Sequence, residues 1–349
     1  MIILLSGSPG ELRFTLMKGN DIQDIALWRP GMPDGWGDQY LVRVLSWAPA
    51  FDGAFVQLEN RQDGFLVTKT ILQEGQLVKA QIVRCAQKNK GPRLKLLTAT
   101  PDKSAEHIGI LQAGPLPLED LLAQAPQASV GYEDASLAAQ LPTKYQSLLK
   151  RLTHEHFSFL ETEWATFLET TINVGPLIAH IVPTPALTAI DLDAPCMPDF
   201  AANVEALQAL VHQIRLRNLS GTILIDPAGI RTRKRAALVP FLERSLQQER
   251  DPLCPRISGL TPSGLIEITR PAKRPPLSEA FSSPHGRGLT ILRQILREEL
   301  PGTTLHAPAS IIQALDSDPQ ALTSFNRVRG KKLQLSIRPP HSSLSWSLT

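Results

Sequence analysis

The chain has 349 residues, of which 42% are hydrophobic and 20% are charged. This length and apolar content allow two or three ordinary domains with a sizeable buried core, and they exclude wholesale disorder. The formal net charge of +3 is too small to choose between nucleic acid, small molecules and proteins as partners.

The cysteines and the apolar runs restrict the compartment. Cys85, Cys196 and Cys254 are odd in number and far apart, so neither a disulfide framework nor a paired-cysteine metal site is expected. No apolar run approaches the roughly 20 residues that span a bilayer, and the N-terminus lacks a basic signal region. We therefore expect a cytoplasmic protein without membrane insertion.

The first hundred residues read as strands. Residues 1–30 predict a hairpin of short strands, with Gly19 and Asn20 at a turn. Five short β segments follow from Tyr40, namely YLVRVLSW, GAFVQLE, DGFLVTK, LVKAQIVR and RLKLLTA. Five such strands in about sixty residues predict a small Greek-key barrel of the OB kind.

The next seventy residues give weaker signals. Residues 99–142 are rich in Ala, Gln and Pro and lack sustained periodicity, so we expect a loosely packed connector with one short helix. Residues 143–171 place apolar side chains at helical spacing, which predicts one or two amphipathic helices.

The most informative segment repeats a strand that ends in aspartate. ALTAID ends at Asp191 and GTILID ends at Asp226, with an amphipathic helical stretch between them. A strand, helix and strand predict a βαβ unit with parallel strands, whose carboxyl ends share one edge of the sheet. Two carboxylates at one edge can hold Mg²⁺ on a phosphodiester substrate. An aspartate at a strand end can equally serve as a helix N-cap or bind loop amides.

Basic residues surround the second aspartate in sequence. Arg215 and Arg217 end the intervening helix, and four cations follow Asp226, namely Arg231, Arg233, Lys234 and Arg235. Such a cluster suits a polyanion. Arginines at the end of a helix also complement its dipole and need no ligand.

The predicted barrel carries aromatic and basic side chains. Phe55 and Phe65 lie on its strands, and the cations of the following hairpin include Lys79, Arg84, Lys88, Lys90, Arg93 and Lys95. OB folds bind single strands by stacking bases on aromatic rings beside such cations. The alternative is that both phenylalanines belong to the barrel core.

The C-terminal third continues the α/β pattern. A helix and the strand SGLIEITR are followed by a Pro/Ser/Gly-rich stretch that resembles a domain boundary. Beyond it, alternating helices and strands predict a small separate module.

Three ordered segments resemble the ribonuclease E/G family of bacterial endoribonucleases. They are PTPALTAIDLD, NVEALQALVHQIRLRNLSGTILID and SGLIEITR, with weaker similarity in the barrel and near both ends of the chain. The resemblance implies an α/β (α+β) protein with an OB-type barrel inserted into an RNase H-like subdomain, followed by a nuclease-like α/β domain and a small C-terminal α/β domain. The expected boundaries are 1–36 for the RNase H-like strands, 37–98 for the barrel, 99–172 for a connector or degenerate 5′-sensor region, 173–272 for the catalytic domain, 273–288 for a linker and 289–349 for the C-terminal domain.

The resemblance also implies an activity and its residues. Family members cleave single-stranded RNA with Mg²⁺, and Mn²⁺ is a possible substitute. Asp191 and Asp226 match the two metal-binding aspartates, and Asp193 stands where the family has a supporting asparagine. Phe55, Phe65 and Lys90 match barrel positions that contact RNA. With the cations Lys88, Arg93, Arg215 and Arg217 they form the expected RNA-binding set.

This chain departs from the family pattern at four places. The loop APCMPDFAA is shorter than the family's, and Pro227-Ala228-Gly229-Ile230 lacks a carboxylate that the family carries at the third position. The 5′-monophosphate sensor has no counterpart. Ser283 and His285 replace the thiolates of a shared zinc site. We therefore expect no structural zinc, and a monomer or dimer rather than a zinc-linked tetramer.

The leading hypothesis is a compact Mg²⁺-dependent endoribonuclease that cleaves single-stranded RNA. The alternative is an RNA-binding protein of the same fold whose nuclease site has degenerated. A third possibility is a binding module without RNA specificity, if the resemblance extends only to the fold.

Overall fold

A computed structural model describes residues 1–59, 63–87, 90–98, 107–194, 198–338 and 346–349. Over these residues the strands are β1 (Ile2–Ser8), β2 (Glu11–Lys18), β3 (Asp21–Trp28), β4 (Gln39–Ala48), β5 (Gly53–Gln57), β6 (Asp63–Val67), β7 (Leu77–Arg84), β8 (Arg93–Thr98), β9 (Gly109–Gln112), β10 (Ser129–Tyr132), β11 (Leu149–Arg151), β12 (Thr171–Val174), β13 (Leu177–Pro183), β14 (Leu187–Asp193), β15 (Gly221–Asp226), β16 (Arg256–Leu260), β17 (Ile266–Arg270), β18 (Thr304–Ala307), β19 (Gln334–Ile337) and β20 (Ser347–Leu348).

The α-helices of the same residues are α1 (Pro117–Gln124), α2 (Ala135–Ala138), α3 (Leu160–Thr166), α4 (Phe200–Leu216), α5 (Thr232–Arg235), α6 (Val239–Glu249), α7 (Leu277–Ser282), α8 (Pro284–Arg297), α9 (Ala309–Asp316) and α10 (Pro319–Arg329). Short 3₁₀ turns connect several of them. No helix in the described ranges is both long and apolar enough to cross a membrane.

The N-terminal sheet is assembled from two separate parts of the chain. Its strand order is β11-β10-β1-β2-β3, in which β1 pairs in parallel with β10 and antiparallel with β2. The strand β2 is buried along nearly its whole length, because one face packs on α1 and the other on α3. The barrel strands lie between β3 and β10 in sequence, so the barrel is inserted into this sheet.

The inserted strands form a closed five-stranded barrel. The pairing runs β5-β6-β8-β7-β4, and β4 pairs back onto β5 to close it. Alternate residues point inward, and the interior is filled by small and branched apolar side chains such as Val42, Val56 and Leu94. The barrel and the mixed α/β architecture expected from the sequence are confirmed.

Most of the segment predicted as a connector is instead part of the N-terminal sheet, while its strand β9 pairs with β4 of the barrel. It contains α1, β10, α2 and β11, and Leu118, Leu121 and Val130 are fully buried against β1 and β2. The prediction of loose packing was wrong because these strands are only three or four residues long. Such short runs have too few alternating positions to show a period of two.

The predicted linker at 273–288 is largely helical. Leu277 and Phe281 lie one turn apart on α7 and are buried against α3 and β2, which ties this segment to the N-terminal sheet. The side chain of Ser283 accepts a hydrogen bond from the amide of Gly286, and Pro284 occupies the first turn of α8. The Ser-Pro pair that suggested a boundary is therefore a helix start signal.

The central sheet has six strands in the order β12-β13-β14-β15-β17-β16. The helix α4 connects β14 to β15, which pair in parallel, so the predicted βαβ unit is confirmed. Leu207, Leu210 and Ile214 of α4 are buried on one face of this sheet together with residues of α6. The C-terminal residues form a three-stranded sheet, β19-β18-β20, packed on α8, α9 and α10.

Candidate functional site

Asp191 and Asp226 lie opposite each other on neighbouring parallel strands. They are paired in register at the carboxyl ends of β14 and β15, and adjacent strands are about 4.8 Å apart. Ile190 and Ile225 point into the packed face of the sheet, so the two aspartates project from the other face. Asp191 is exposed and Asp226 is half-buried. The structure therefore brings the two predicted metal ligands together at an accessible position.

The carboxylate of Asp226 carries an oxygen that accepts no hydrogen bond. Its Oδ1 is buried and has no hydrogen-bond partner. Nη1 of Arg235 lies 2.7 Å from this oxygen and forms an ion pair with it. The guanidinium of Arg235 is therefore the counter-charge of this buried oxygen in the structure.

Arg235 also fixes the two loops beside Asp226. Its guanidinium donates hydrogen bonds to the carbonyls of Ile230 at 2.9 Å, Gly264 at 3.2 Å and Pro227 at 3.4 Å. The sequence prediction treated this arginine only as one of a basic cluster. The structure gives it a specific place as the counter-charge of Asp226.

Asn203 holds the chain that follows Asp226. It is fully buried on the first turn of α4, accepts a hydrogen bond from the amide of Ala228 and donates one to the carbonyl of Ala228, both at 3.0 Å. Asn203 was not predicted from the sequence as a site residue. The available signal was its position, since a polar side chain at 203 shares the apolar face of α4 with Leu207 and Leu210.

Asp193 stands two residues beyond Asp191 on the same face of β14. It is exposed, and its Oδ1 accepts a 2.7 Å hydrogen bond from the amide of Ala194. This hydrogen bond lies at the end of β14. The expected role of Asp193 in tuning a metal site remains a prediction.

His180 extends the row of polar side chains across the sheet. It pairs in register with Asp191 on β13, and its Nδ1 lies 3.1 Å from the hydroxyl of Thr171. Histidine spacing alone gave no reason to select it. Strand pairing brings it to the site, which single-sequence periodicity does not reveal.

The donor set fits a hard divalent cation bound by two carboxylates. Mg²⁺ usually keeps several waters and takes one or two protein carboxylates together with substrate phosphate oxygens. Asp191 and Asp226 supply that number at one edge of the sheet, although Oδ1 of Asp226 already forms an ion pair with Arg235. No cluster of three or more His, Cys, Asp or Glu residues able to hold a metal was found in the described ranges.

Three further cations lie on the chain that follows Asp226. Arg231, Arg233 and Lys234 are exposed at the start of α5. They precede Arg235, whose side chain contacts Asp226. A phosphate backbone approaching the carboxylates would meet positive charge here.

Arg215 is not available to RNA. Its side chain is only 9% exposed and forms ion pairs with Asp24 at 3.0 Å and Glu249 at 3.2 Å. The helix α4 runs antiparallel to β14 and β15, so its last turn lies at the edge of the sheet opposite Asp191 and Asp226. The prediction failed because nearness in sequence was taken for nearness in space.

Arg217 is likewise a structural residue. It is buried, and it donates hydrogen bonds to the carbonyls of Thr166 at 2.7 Å and Glu169. Burial lowers the pKa of its guanidinium. The prediction that it binds RNA is corrected for the same reason as for Arg215.

The barrel surface carries the aromatic residues predicted to contact RNA. Phe55 is 46% exposed, and its ring centroid lies 5.3 Å from that of Phe65 in an edge-to-face arrangement. The two rings are therefore surface residues and not part of the barrel core. Lys90 and Arg93 are exposed, whereas Lys88 lies outside the described residues.

Ser283 and His285 stand where the resemblance would place zinc-binding thiolates, and both have structural roles. Ser283 caps α8, and Nε2 of His285 lies 2.9 Å from a carboxylate oxygen of the buried Asp318, which caps α10. Both residues fix the helices of the C-terminal module against one another.

Comparison with known proteins supports the family resemblance that the sequence motifs indicate. Residues 160–273 match the family model described as "Ribonuclease E/G family", which confirms the resemblance over about a third of the chain, including both aspartates. A curated relative, Ribonuclease G of Salmonella typhimurium (strain SL1344), is 27% identical over 183 residues, covering 45% of this chain and 37% of that protein.

Two further relatives show the same pattern. Ribonuclease G of Haemophilus influenzae is 31% identical over 160 residues, covering 40% of this chain and 32% of that protein. Ribonuclease E of a Synechocystis strain is 34% identical over 113 residues, covering 30% of this chain and 16% of that protein. The chain thus matches well under half the length of these relatives.

Proposed function

We propose that this chain is a metal-dependent endoribonuclease that cleaves single-stranded RNA. The observation that carries the proposal is the register pair of Asp191 and Asp226 at accessible strand ends within the family-matched segment. The cytoplasm as its place of action, and a monomeric or dimeric state, stay predictions.

Each part of the site has a task under this proposal. Asp191 and Asp226 would hold the divalent cation, Mg²⁺ or Mn²⁺, and Arg235 fixes the carboxylate of Asp226 and its loops. When bound, the cation supplies charge neutralisation at the phosphate and activation of water. Arg231, Arg233 and Lys234 attract the RNA backbone, and the barrel rings stack its bases.

One observation favours the second candidate, an RNA-binding protein without nuclease activity. Gly229, at the position where the family carries a further carboxylate, has a φ of +62°, and a Cβ there would lie 2.8 Å from the side chain of Pro198. A carboxylate-bearing residue does not fit this backbone without a shift. The site therefore has fewer acidic groups than the family pattern, and the positive charge of Arg235 lies beside one of them.

Cleavage of a single-stranded A/U-rich RNA tests the proposal. The wild-type chain should cut only with Mg²⁺ or Mn²⁺ and leave a 5′-phosphate on the downstream product. Asp191→Asn should abolish cutting while RNA affinity stays within about twofold, because this exposed side chain contributes little to the fold. Salt-sensitive binding without cutting under either metal would instead establish the RNA-binding candidate.

A further inference from the structure

A third aromatic ring adjoins the two that the sequence predicted. Phe51 ends a 3₁₀ turn, Pro49–Phe51, just before β5, and its side chain is 69% exposed. Its centroid lies 6.4 Å from that of Phe65, with the ring planes at 89°. Phe65 thus contacts Phe51 on one side and Phe55 on the other, and the three rings form one surface patch, the ring patch.

The backbone makes room for this arrangement. A Cβ at Gly53 would lie 2.7 Å from the Phe65 ring, so the ring packs directly over a glycine. Asp52 adopts a left-handed conformation with a φ of 47°, which turns the chain sharply between Phe51 and β5. The outer rings are therefore held on a fixed backbone while most of the Phe51 ring stays in solvent.

Two arginines continue the row that begins with the rings. Strand pairing places Phe55 opposite Phe65, Phe65 opposite Arg93, and Arg93 opposite Arg84. Phe55, Phe65 and Arg93 are paired directly and therefore project from the same face of the sheet. A register shift between Ile82 and Arg84 brings Arg84 opposite Arg93 as well. A single line across four barrel strands thus consists of two aromatic rings and then two guanidinium groups.

The arginine pair lacks a negative partner among the described residues. Arg84 makes no ion pair there, and its Nε is buried without a hydrogen-bond acceptor. Burial, and then the charge of Arg93, lower the pKa of Arg84. Like charges placed opposite each other destabilise a sheet, so the fold carries a cost here that a bound anion would offset.

We propose that Phe51 is a third base-stacking residue and that Arg84 and Arg93 together bind a backbone phosphate of the same single strand. The proposal deepens the proposed function, because it adds residues and an anion site to the RNA surface of the barrel. Neither Phe51 nor Arg84 belongs to the set expected from sequence.

Single-stranded nucleic acid fits both parts of this surface, the ring patch and the pair of arginines. A protein partner would cover the exposed rings but would not require two adjacent guanidinium groups. A strand of RNA presents flat bases next to phosphates at regular spacing, which matches rings next to arginines.

The first test measures RNA affinity of ring variants. Fluorescence anisotropy with an oligouridylate of about ten nucleotides compares full-length wild type with Phe51→Leu, Phe51→Trp and Phe55→Leu. Loss of one stacking contact should weaken binding by roughly fivefold to a hundredfold. Phe51→Trp should bind like the wild type because it keeps a stacking surface. Ile71→Ala, an exposed apolar residue of the same barrel, is the matched control and should change nothing.

The outcomes separate this inference from the proposed function. Equal affinity of Phe51→Leu and wild type, with Phe55→Leu weakened, overturns the inference about Phe51 and leaves the proposed function standing. Failure of the wild-type chain to bind RNA at all overturns both.

The second test uses the opposite effects of one substitution on binding and stability. Arg93→Gln should lower the slope of log affinity against log salt by about 0.7, the value for one phosphate contact on a single strand. The same variant should raise the melting temperature of the free protein, since it removes a like-charge contact. An unchanged salt slope, or a lowered melting temperature, would show that Arg93 is structural and would overturn the phosphate site.

Discussion

At the scale of single residues, the charge balance at Asp226 decides how the site behaves. One carboxylate oxygen is buried without a hydrogen bond, and the nearest cation is the guanidinium of Arg235 at 2.7 Å. A divalent ion bound to the same carboxylate must tolerate that positive charge. Under the proposed function, Arg235 would therefore hold the loops while it opposes metal binding.

Arg235→Gln should lower the metal concentration that gives half-maximal cleavage by about tenfold. Removing a unit charge about 4 Å from a partly exposed site changes the interaction by roughly 1 to 4 kcal/mol, and the glutamine amide keeps one donor for the loop carbonyls. Titration of Mn²⁺ against the cleavage rate measures the effect. Lys331→Gln, at an exposed cation of the C-terminal module, is the control. An unchanged or higher metal requirement in Arg235→Gln would show that Arg235 does not oppose metal binding.

The sequence predicted the two aspartates and the cations that follow Asp226, but not His180 or Asn203. The strand-ending repeats place Asp191 and Asp226 at one edge because parallel pairing follows from a strand-helix-strand pattern. His180 reaches the site through antiparallel pairing with β14, which has no local signature. Arg235 was predicted in the basic cluster after Asp226, but its contact with that carboxylate was not. Asn203 could have been noticed as a polar residue on the buried face of α4.

At the scale of elements, the direction of α4 separates the sheet edge that carries Asp191 and Asp226 from a structural edge. Its first turn holds Asn203 beside the aspartates, and its last turn holds Arg215 and Arg217 at the other edge of the sheet. A helix of 17 residues is about 25 Å long, so one side chain cannot serve both edges. The arginines instead dock α4 on β3, α6 and the end of α3.

Arg215→Met should destabilise the protein without changing its RNA binding. Removing it leaves the largely buried carboxylates of Asp24 and Glu249 without this partner, which typically costs about 3 kcal/mol. Urea unfolding measures the stability, and anisotropy across a salt series measures the binding. A salt slope reduced by about 0.7 would restore Arg215 as a phosphate contact.

His212 gives α4 a pH-dependent attachment. Its Nδ1 lies 2.9 Å from Glu249 of α6, and its Nε2 lies 3.0 Å from the carbonyl of Ile22 in β3. The hydrogen bond to Glu249 raises the pKa of the imidazole above its usual value. The folded state therefore binds the proton more tightly than the unfolded state, and this contribution is complete below about pH 6.5 and is lost as pH rises through the folded-state pKa.

The free energy of unfolding of the wild type should therefore fall by a larger amount between about pH 6 and pH 8 than that of His212→Gln. Urea denaturation at several pH values measures both curves, and His107→Gln serves as a control because His107 is exposed. Parallel curves for wild type and His212→Gln would show that the imidazole does not contribute in this way.

At the scale of the whole molecule, one segment after β17 joins the barrel, the N-terminal sheet and the central sheet. The amide of Cys85 at the end of the barrel binds the carbonyl of Lys273 at 2.9 Å. Arg274 forms ion pairs with Asp34 at 2.5 Å and with Asp120 at 2.6 Å. The ring patch of the barrel and the edge that carries Asp191 and Asp226 are thus parts of one connected framework.

The sequence predicted the parts of this framework better than their connections. The barrel and the βαβ unit follow from patterns contained within about sixty residues each. The N-terminal sheet is completed by β10 and β11 from more than a hundred residues away, and Glu11 of β2 binds Arg293 of α8 at 2.5 Å. Contacts of this separation depend on tertiary packing, which local periodicity cannot encode.

The most direct test of Asp191 and Asp226 as a nuclease centre compares the single-turnover cleavage rates of Asp226→Asn and wild type. Both proteins cut the same labelled RNA at saturating Mg²⁺, and the dissociation constant of each for that RNA is measured in parallel. The cleavage rate of Asp226→Asn should fall by at least about a thousandfold, while its dissociation constant for RNA stays within about twofold of the wild type. The reason is that, under the proposed function, the carboxylate acts on the reaction and the barrel binds the strand. Cleavage that persists in Asp226→Asn at a rate near the wild type would contradict the assignment of Asp191 and Asp226 as the nuclease centre.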